Sequence, residues 1–160
     1  MIFLTVGTLF SFDRLVKAVD EAIVKGLITD TVFAQIGDGK YVPQNMDYVK
    51  ILDKEKFDQK LIQADLLLSH AGIGSITMGL NHKKSIIVMP RLKKYGEHVN
   101  DHQLGTAKRF EELGHILVAV EANELPNKIE KLKTFKPKPR ENQADKVAGR
   151  IKHFLNTFSD

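Results

Sequence analysis

Short apolar runs alternate along this chain with segments of helical periodicity, and that alternation admits few folds. Residues 2–6 form an almost unbroken apolar run that stops at Gly7-Thr8. A run without polar alternation suits a strand buried on both faces, as in a parallel sheet. Behind it Phe12, Leu15, Val16, Val19, Ile23 and Val24 recur at helical spacing, and Ser11 or Asp13 is the expected cap.

The pattern repeats. Residues 31–36 read as a strand broken by Gly37-Asp38-Gly39, and residues 48–52 as a third strand followed by a helix over 54–63. Residues 65–69 run into His70-Ala71-Gly72-Ile73-Gly74-Ser75 and a short helix over 76–81. A fifth strand, 85–89, stops at Pro90, and a loop leads to a helix over 98–113 ended by Gly114. Residues 115–120 form the sixth strand, before a helix over 124–132, a proline-interrupted linker over 134–140 and a last helix over 141–158. Strands alternating with helices predict βαβ units. The fold class is therefore α/β: one Rossmann-like domain over 1–160, with a mostly parallel sheet and helices on both faces.

Composition removes several functions. There is no cysteine, so disulfides, thiolate metal sites and a cysteine nucleophile are excluded, and a reducing cytoplasm fits. No apolar run approaches the ~20 residues that cross a bilayer. The first residues lack the basic lead and cleavage site of a signal peptide. The chain is expected in the cytoplasm, held at a membrane only by something else. Its formal charge is +4, but the basic residues spread along helices, so no nucleic-acid partner is expected. The densest run, from Lys128 to Arg140, reads first as a solvated linker and second as an attraction to anionic lipid headgroups.

In open parallel sheets ligands bind at the carboxyl ends of the strands. The turns at Gly7, Gly37 and Gly72–Gly74 all fall there. Glycine permits close backbone approach, and a following helix N-terminus offers N–H groups to a phosphate. The spacing matches neither G-x-G-x-x-G nor G-K-[ST], so a phosphate-bearing ligand and bare tight turns both fit. His70 fits a ligand contact or a satisfied core histidine. Residues 96–103 carry two histidines, two acids, an asparagine and a glutamine. Such groups bind sugar hydroxyls or simply coat an exposed first helical turn. His98 and His102 have the i, i+4 spacing of a zinc pair but lack its glutamate. No metal and no cofactor is expected.

Three segments together carry a resemblance. They are Leu4–Thr8 with Phe12–Leu15, Ser69–Ser75, and Pro90–Gln103. They resemble PssE-type polysaccharide glycosyltransferase subunits and are similar to the soluble subunit of the dolichol-linked UDP-GlcNAc transferase. They also look like the C-terminal, donor-binding half of MurG-type enzymes with the GT-B architecture. The resemblance implies a UDP-sugar donor, transfer with inversion, a lipid-linked acceptor and a membrane-anchored partner that supplies the acceptor-binding half. Gly7 and Thr8 would face the diphosphate, with Gly37 at the neighbouring turn. His70, Gly72, Gly74 and Ser75 would form the loop beside the phosphates. Ile51 and Leu52 would lie near the uracil, and Asp101, His102 and Gln103 would hold sugar hydroxyls. Arg91 and helix N-terminal amides would stabilise the leaving diphosphate. His98, Glu97 and Asp13 are the candidate bases, unless the partner supplies one. The partner would dock on the last helix through Val147, Ile151, Phe154, Leu155 and Phe158, a stripe that equally fits packing on the chain's own sheet. Two departures stand out: Met78 where many relatives place a ribose-binding glutamate, and Leu9-Phe10 where many PssE-type chains read His-Glu. They support an alternative, a non-catalytic accessory subunit. An unrelated nucleotide-binding α/β enzyme is the third reading.

Overall fold

Each apolar run read as a strand enters a single sheet in the computed structural model, which describes residues 1–139, 148–152 and 154. The strands are β1 (Ile2–Thr5), β2 (Val32–Gln35), β3 (Asp47–Val49), β4 (Leu66–His70), β5 (Ser85–Met89) and β6 (Leu117–Val118). The helices are α1 (Asp13–Val24), α2 (Lys54–Gln63), α3 (Ile73–Asn81), α4 (His102–Glu112) and α5 (Leu125–Leu132). The sheet order is β3-β2-β1-β4-β5-β6, and every pairing is parallel. This is the Rossmann order, whose ligand crevice opens where the order reverses, between β1 and β4.

Period-two alternation explains how one sheet carries two cores. Ile2 and Leu4 of β1, Leu68 of β4, and Ile87 and Met89 of β5 pack with Leu15, Val16 and Val19 of α1 and Leu125 of α5. Phe3, Leu67, Ile86 and Val88 point the other way, against Leu61 of α2, Ile76 of α3 and Ala107 of α4. Both faces are covered, which is why the strands read as unbroken apolar runs rather than alternating ones.

Helix starts differ from the sequence reading. The α1 N-cap is Phe12, with no side-chain cap. Neither Ser11 nor Asp13 caps it; Asp13 lies inside the first turn and accepts the Lys40 N–H at 3.1 Å. Helix α3 begins at Ile73 rather than 76, because Gly72 takes the extended N-cap conformation and Gly74 is helical. Helix α4 begins at His102 rather than 98, because a 3-10 turn at Lys93–Tyr95 and bends through Asp101 come first. His98 and His102 therefore do not share a helical face. The segment after α5 is fastened: Lys138 N–H donates to the Gly114 carbonyl at 2.9 Å, and His115 Nδ1 donates to the Lys138 carbonyl at 2.8 Å. Most of the last helix lies outside the described residues, including Val147, Leu155 and Phe158. Residues 148–152 and 154 are helical, with Ile151 and Phe154 exposed.

Buried Asp20 fastens the long β2–β3 connection to α1. Its carboxylate accepts the Tyr41 hydroxyl at 2.8 Å, the backbone N–H of Gln44 and Asn45, and the Asn45 side-chain amide. Burial works to raise its pKa, but these hydrogen bonds outweigh burial and hold it below 3.8. The same contact pushes Tyr41 up to about 12. Asp20→Ala strips several donors of their acceptor and is expected to cost about 1–3 kcal/mol in urea unfolding at pH 7. A depressed carboxyl stabilises above its unfolded pKa and stops doing so as pH falls through its folded one. The gap between wild type and Asp20→Ala should therefore close in strong acid.

Candidate functional site

The crevice between β1 and β4 is built around His70. Gly7 follows β1 with φ +77, a conformation that favours glycine, and a Cβ there would come within 2.9 Å of His70 Nε2. Gly72 follows β4, and a Cβ there would overlap the same imidazole ring. Two backbone turns thus close on one side chain only because both lack a Cβ.

The hydrogen bonds fix the state of that ring. Gly72 N–H donates to His70 Nδ1 at 3.0 Å, so Nδ1 is unprotonated and the proton sits on Nε2. Nε2–H then donates to Ser75 Oγ at 3.1 Å, leaving the serine hydroxyl hydrogen free to point elsewhere. Burial, helped by the Arg91 charge, lowers the His70 pKa from 6.5 to about 4, so the ring is neutral at pH 7. The first amides of α3 at Ile73, Gly74 and Ser75 have no intrahelical acceptor, and Gly74 is exposed. The arrangement is a neutral, anion-accepting lip at a helix N-terminus.

A depressed histidine costs stability in acid. The unfolded chain takes up a proton near pH 6.5 and the folded chain only near pH 4, so stability is full above this window and falls through it. At 1.36 kcal/mol per pH unit the loss approaches about 3 kcal/mol. His70→Gln should remove most of the stability difference between pH 7 and pH 4.5, measured by urea unfolding at both.

Beneath the lip, Arg91 is 2% exposed. One of its terminal nitrogens donates to the Val6 carbonyl at 2.7 Å and the Phe10 carbonyl at 2.6 Å. Burial lowers its pKa to about 10, with Glu97 opposing, and leaves it cationic. Its Nε is buried without a partner among the described residues. The Arg91 backbone N–H donates to Gln103 Oε1 at 3.1 Å, and Gln103 Nε2 lies 3.5 Å from His70 Nδ1. Gln103 is 4% exposed, so it braces the ends of β4 and β5 from within. Asp101 and His102 are exposed; Asp101 accepts the Lys93 N–H at 2.7 Å, and His102 Nδ1 meets Asn100 Oδ1.

A second assembly, centred on Arg14, joins α1 to the loop after β5. Arg14 donates to both Glu97 oxygens, at 2.7 and 2.9 Å, and to the carbonyls of Pro90 at 2.8 Å and Val120 at 2.9 Å. Glu97 also accepts the Leu92 N–H. Of the three candidate bases, Glu97 is thus committed to an ion pair. His98 packs between Phe10, tilted at 59°, and His102, edge-on at 73°, with Nδ1 buried and unpartnered among the described residues. Asp13 is half-buried and lines a cleft of about 300 Å³ with Phe10, Ser11, Arg14, Tyr95, Gly96 and Glu97.

The structure brings Gly7, His70, Gly72, Ser75, Arg91 and Gln103 into one cluster. Gly37 adjoins it: a Cβ there would lie 3.4 Å from a Val6 methyl and 3.8 Å from the Gly7 carbonyl. Thr8 is exposed on the same rim. Ile51 is 60% exposed beyond β3, while Leu52 packs partly into the core. Met78 also packs against the core. The sequence reading assigned no role to Asp20 or to Arg14. Asp20 had one local signal, since it interrupts the apolar face of α1; Arg14, on the opposite side of the helix, had none.

The family described as "Glycosyltransferase family 28 C-terminal domain" matches residues 1–157. This chain belongs to that family. The family 28 domain is 35% identical over 125 residues to the "UDP-N-acetylglucosamine transferase subunit ALG13" of Mus musculus, a match covering 71% of this chain and 10% of that protein. It therefore spans about a tenth of the curated relative's length. It superposes on a solution structure of ALG13 with TM-score 0.60 at 21% identity, covering 94% of this chain and 93% of that one. MurG of Acinetobacter baumannii gives TM-score 0.57 at 20% identity, with 82% of this chain and 40% of that one covered. At such identities the structural likeness carries the fold alone: this family 28 domain has the architecture of one half of a GT-B glycosyltransferase. Among the described residues, no helix is long and apolar enough to cross a membrane.

Proposed function

We propose that this domain is the UDP-sugar-binding, catalytic subunit of a two-polypeptide inverting transferase. The observation that carries this reading is the neutral His70 lip at the β1/β4 crevice, in a chain of this family. The diphosphate lies across Gly7–Thr8 and the opening of α3, within reach of the free Ser75 hydroxyl hydrogen and the α3 amides. Arg91 acts through the Val6–Phe10 turn, since its guanidinium is buried beneath it. The uracil lies toward Ile51, and the sugar toward Asp101 and His102. The acceptor is lipid-linked, and a membrane-anchored partner supplies its binding half and holds this domain at the inner face of the membrane. The products serve cell-surface polysaccharide or glycan synthesis.

The reaction is a direct displacement at the anomeric carbon. A base takes the acceptor hydroxyl proton, the new glycosidic bond forms, and UDP leaves with the old bonding pair. Asp13 is the base candidate of this chain whose carboxylate lines the cleft outside the Arg14–Glu97 ion pair; otherwise the partner supplies the base. Titrating the chain with UDP by calorimetry should give saturable binding, weakened about a hundredfold in Gly72→Ala. Mixing chain, partner and a UDP-sugar should yield a glycosylated lipid. No UDP binding at millimolar nucleotide with an intact complex would instead favour a non-catalytic accessory subunit, the reading that Leu9 and Phe10, exposed on the rim, support.

A further inference from the structure

A cavity of about 690 Å³, well within the range of ligand pockets, lies at the other end of α3 from the His70 lip. Leu80, Pro137 and Pro139 line it with apolar surface, and Lys83, Lys84 and Lys138 with amines; among the described residues no acid lines it. Its walls are held in place. Lys84 Nζ donates to the carbonyls of Ile62 at 2.7 Å and Ala64 at 2.8 Å. Asp65, the carboxylate that feels the Lys84 charge, is bound to the Met1 amine at 2.7 Å. Lys138 is fastened to Gly114 and His115, and its stem covers Gly114, where a Cβ would come within 3.1 Å of Lys138 Cδ. The Lys83 and Lys138 amines have no hydrogen bond or ion pair among the described residues. The basic run that begins at Lys128 sorts by partner. Lys128 pairs with Glu111 and Lys133 with Glu130, as on a solvated face, whereas Lys131, Lys136 and Lys138 meet no carboxylate among the described residues. Helix α3 itself carries no charged residue, and Ile73 is 64% exposed. Lysines beside a charge-free, partly apolar surface suit a bilayer boundary, where their stems bury and their amines meet phosphate.

We infer that this cavity is a site for the phosphate of an anionic phospholipid. Lys83 and Lys138 bind its oxygens, and Leu80, Pro137 and Pro139 meet the glycerol and the first methylenes. A soluble phosphate ester shares the headgroup chemistry, but the apolar lining and the charge-free α3 favour the lipid. The cavity and the His70 lip occupy opposite ends of one nine-residue helix, so a domain resting along α3 brings both to the bilayer. A small basic patch binds weakly by itself and complements a second attachment. The inference does not depend on nucleotide binding.

The test is co-sedimentation of the full chain with vesicles of equal parts phosphatidylcholine and phosphatidylglycerol, against phosphatidylcholine alone. The chain should bind the anionic vesicles only, and less as salt rises. Near a bilayer surface each lysine contributes about fivefold, so Lys83→Asn with Lys138→Gln should weaken binding about tenfold or more. Asparagine suits the left-handed backbone at Lys83, φ +54, so this variant keeps the fold. The control is Lys17→Gln with Lys25→Gln on α1, which packs on the opposite face of the sheet. It removes the same charge and should bind vesicles like the wild type. Both double variants should keep the wild-type UDP affinity by calorimetry. Vesicle binding by a chain that ignores UDP sinks the transferase reading and keeps this one. No binding to anionic vesicles, or equal weakening by the two double variants, overturns the site. If glycerol 1-phosphate shifts the Lys83 and Lys84 amides in ¹⁵N NMR while vesicles are ignored, a soluble phosphate ester is the ligand and the lipid assignment falls.

Discussion

Arg14→Ala is expected to destabilise the fold by about 3–5 kcal/mol, the range for breaking one side of a buried ion pair. Arg14 is largely buried, and Glu97 even more so. Without Arg14, Glu97 keeps the Leu92 N–H and the more distant Arg91 charge among the described residues, and the carbonyls of Pro90 and Val120 lose the Arg14 donor. The ends of β5 and β6 and the start of α1 lose their shared tie. Urea unfolding at pH 7 measures the loss. The double change Arg14→Met with Glu97→Leu should cost clearly less than the sum of the two single changes, because no charge is then left buried alone. A loss below about 1 kcal/mol for Arg14→Ala would place this pair with weak surface bridges.

Gly72→Ala is expected to weaken UDP binding by about a hundredfold, near 3 kcal/mol. The backbone at Gly72 is ordinary for any residue, with φ −72 and ψ 134, so the effect comes from space alone. The new methyl overlaps the His70 ring, which must swing away and abandon both Gly72 N–H and Ser75. The lip then loses its shape and its oriented hydroxyl. Stability should fall by about 1–3 kcal/mol, as in other overpacked sites. Affinity is read by calorimetry well below the melting temperature. Undiminished UDP binding by a folded Gly72→Ala would remove the nucleotide from this crevice.

Strand existence was legible because apolar runs buried on both faces leave a plain trace in sequence. Edges were harder. Helix α3 was read three residues short because Gly-Ile-Gly-Ser looks like a loop, although Gly74 sits comfortably in its first turn. Helix α4 was read four residues long because 98–101 are polar enough to pass for a helix start. The Gly7–His70–Gly72 grouping was visible as turns at strand ends, but the reason for the glycines was not: both make room for one ring. Gln103 was read as a partner for sugar hydroxyls; that its side chain is 4% exposed and accepts the Arg91 N–H was not visible in sequence. Arg14 meets partners 76 to 106 positions away, and no periodicity reports contacts across such separations.

The place of β1 has a bearing on how the molecule is made. Its neighbours are β2 and β4, with Ile2 set against Leu66 and Thr5 against Ser69. β1 and β4 are the two central strands, and β1 is translated before both of its neighbours, so its β4 side waits bare until position 70 is released. Pairings so distant in sequence are slow, and an open apolar edge during synthesis invites misassociation. Pauses in translation before residue 70 should therefore be tolerated worse than pauses after it.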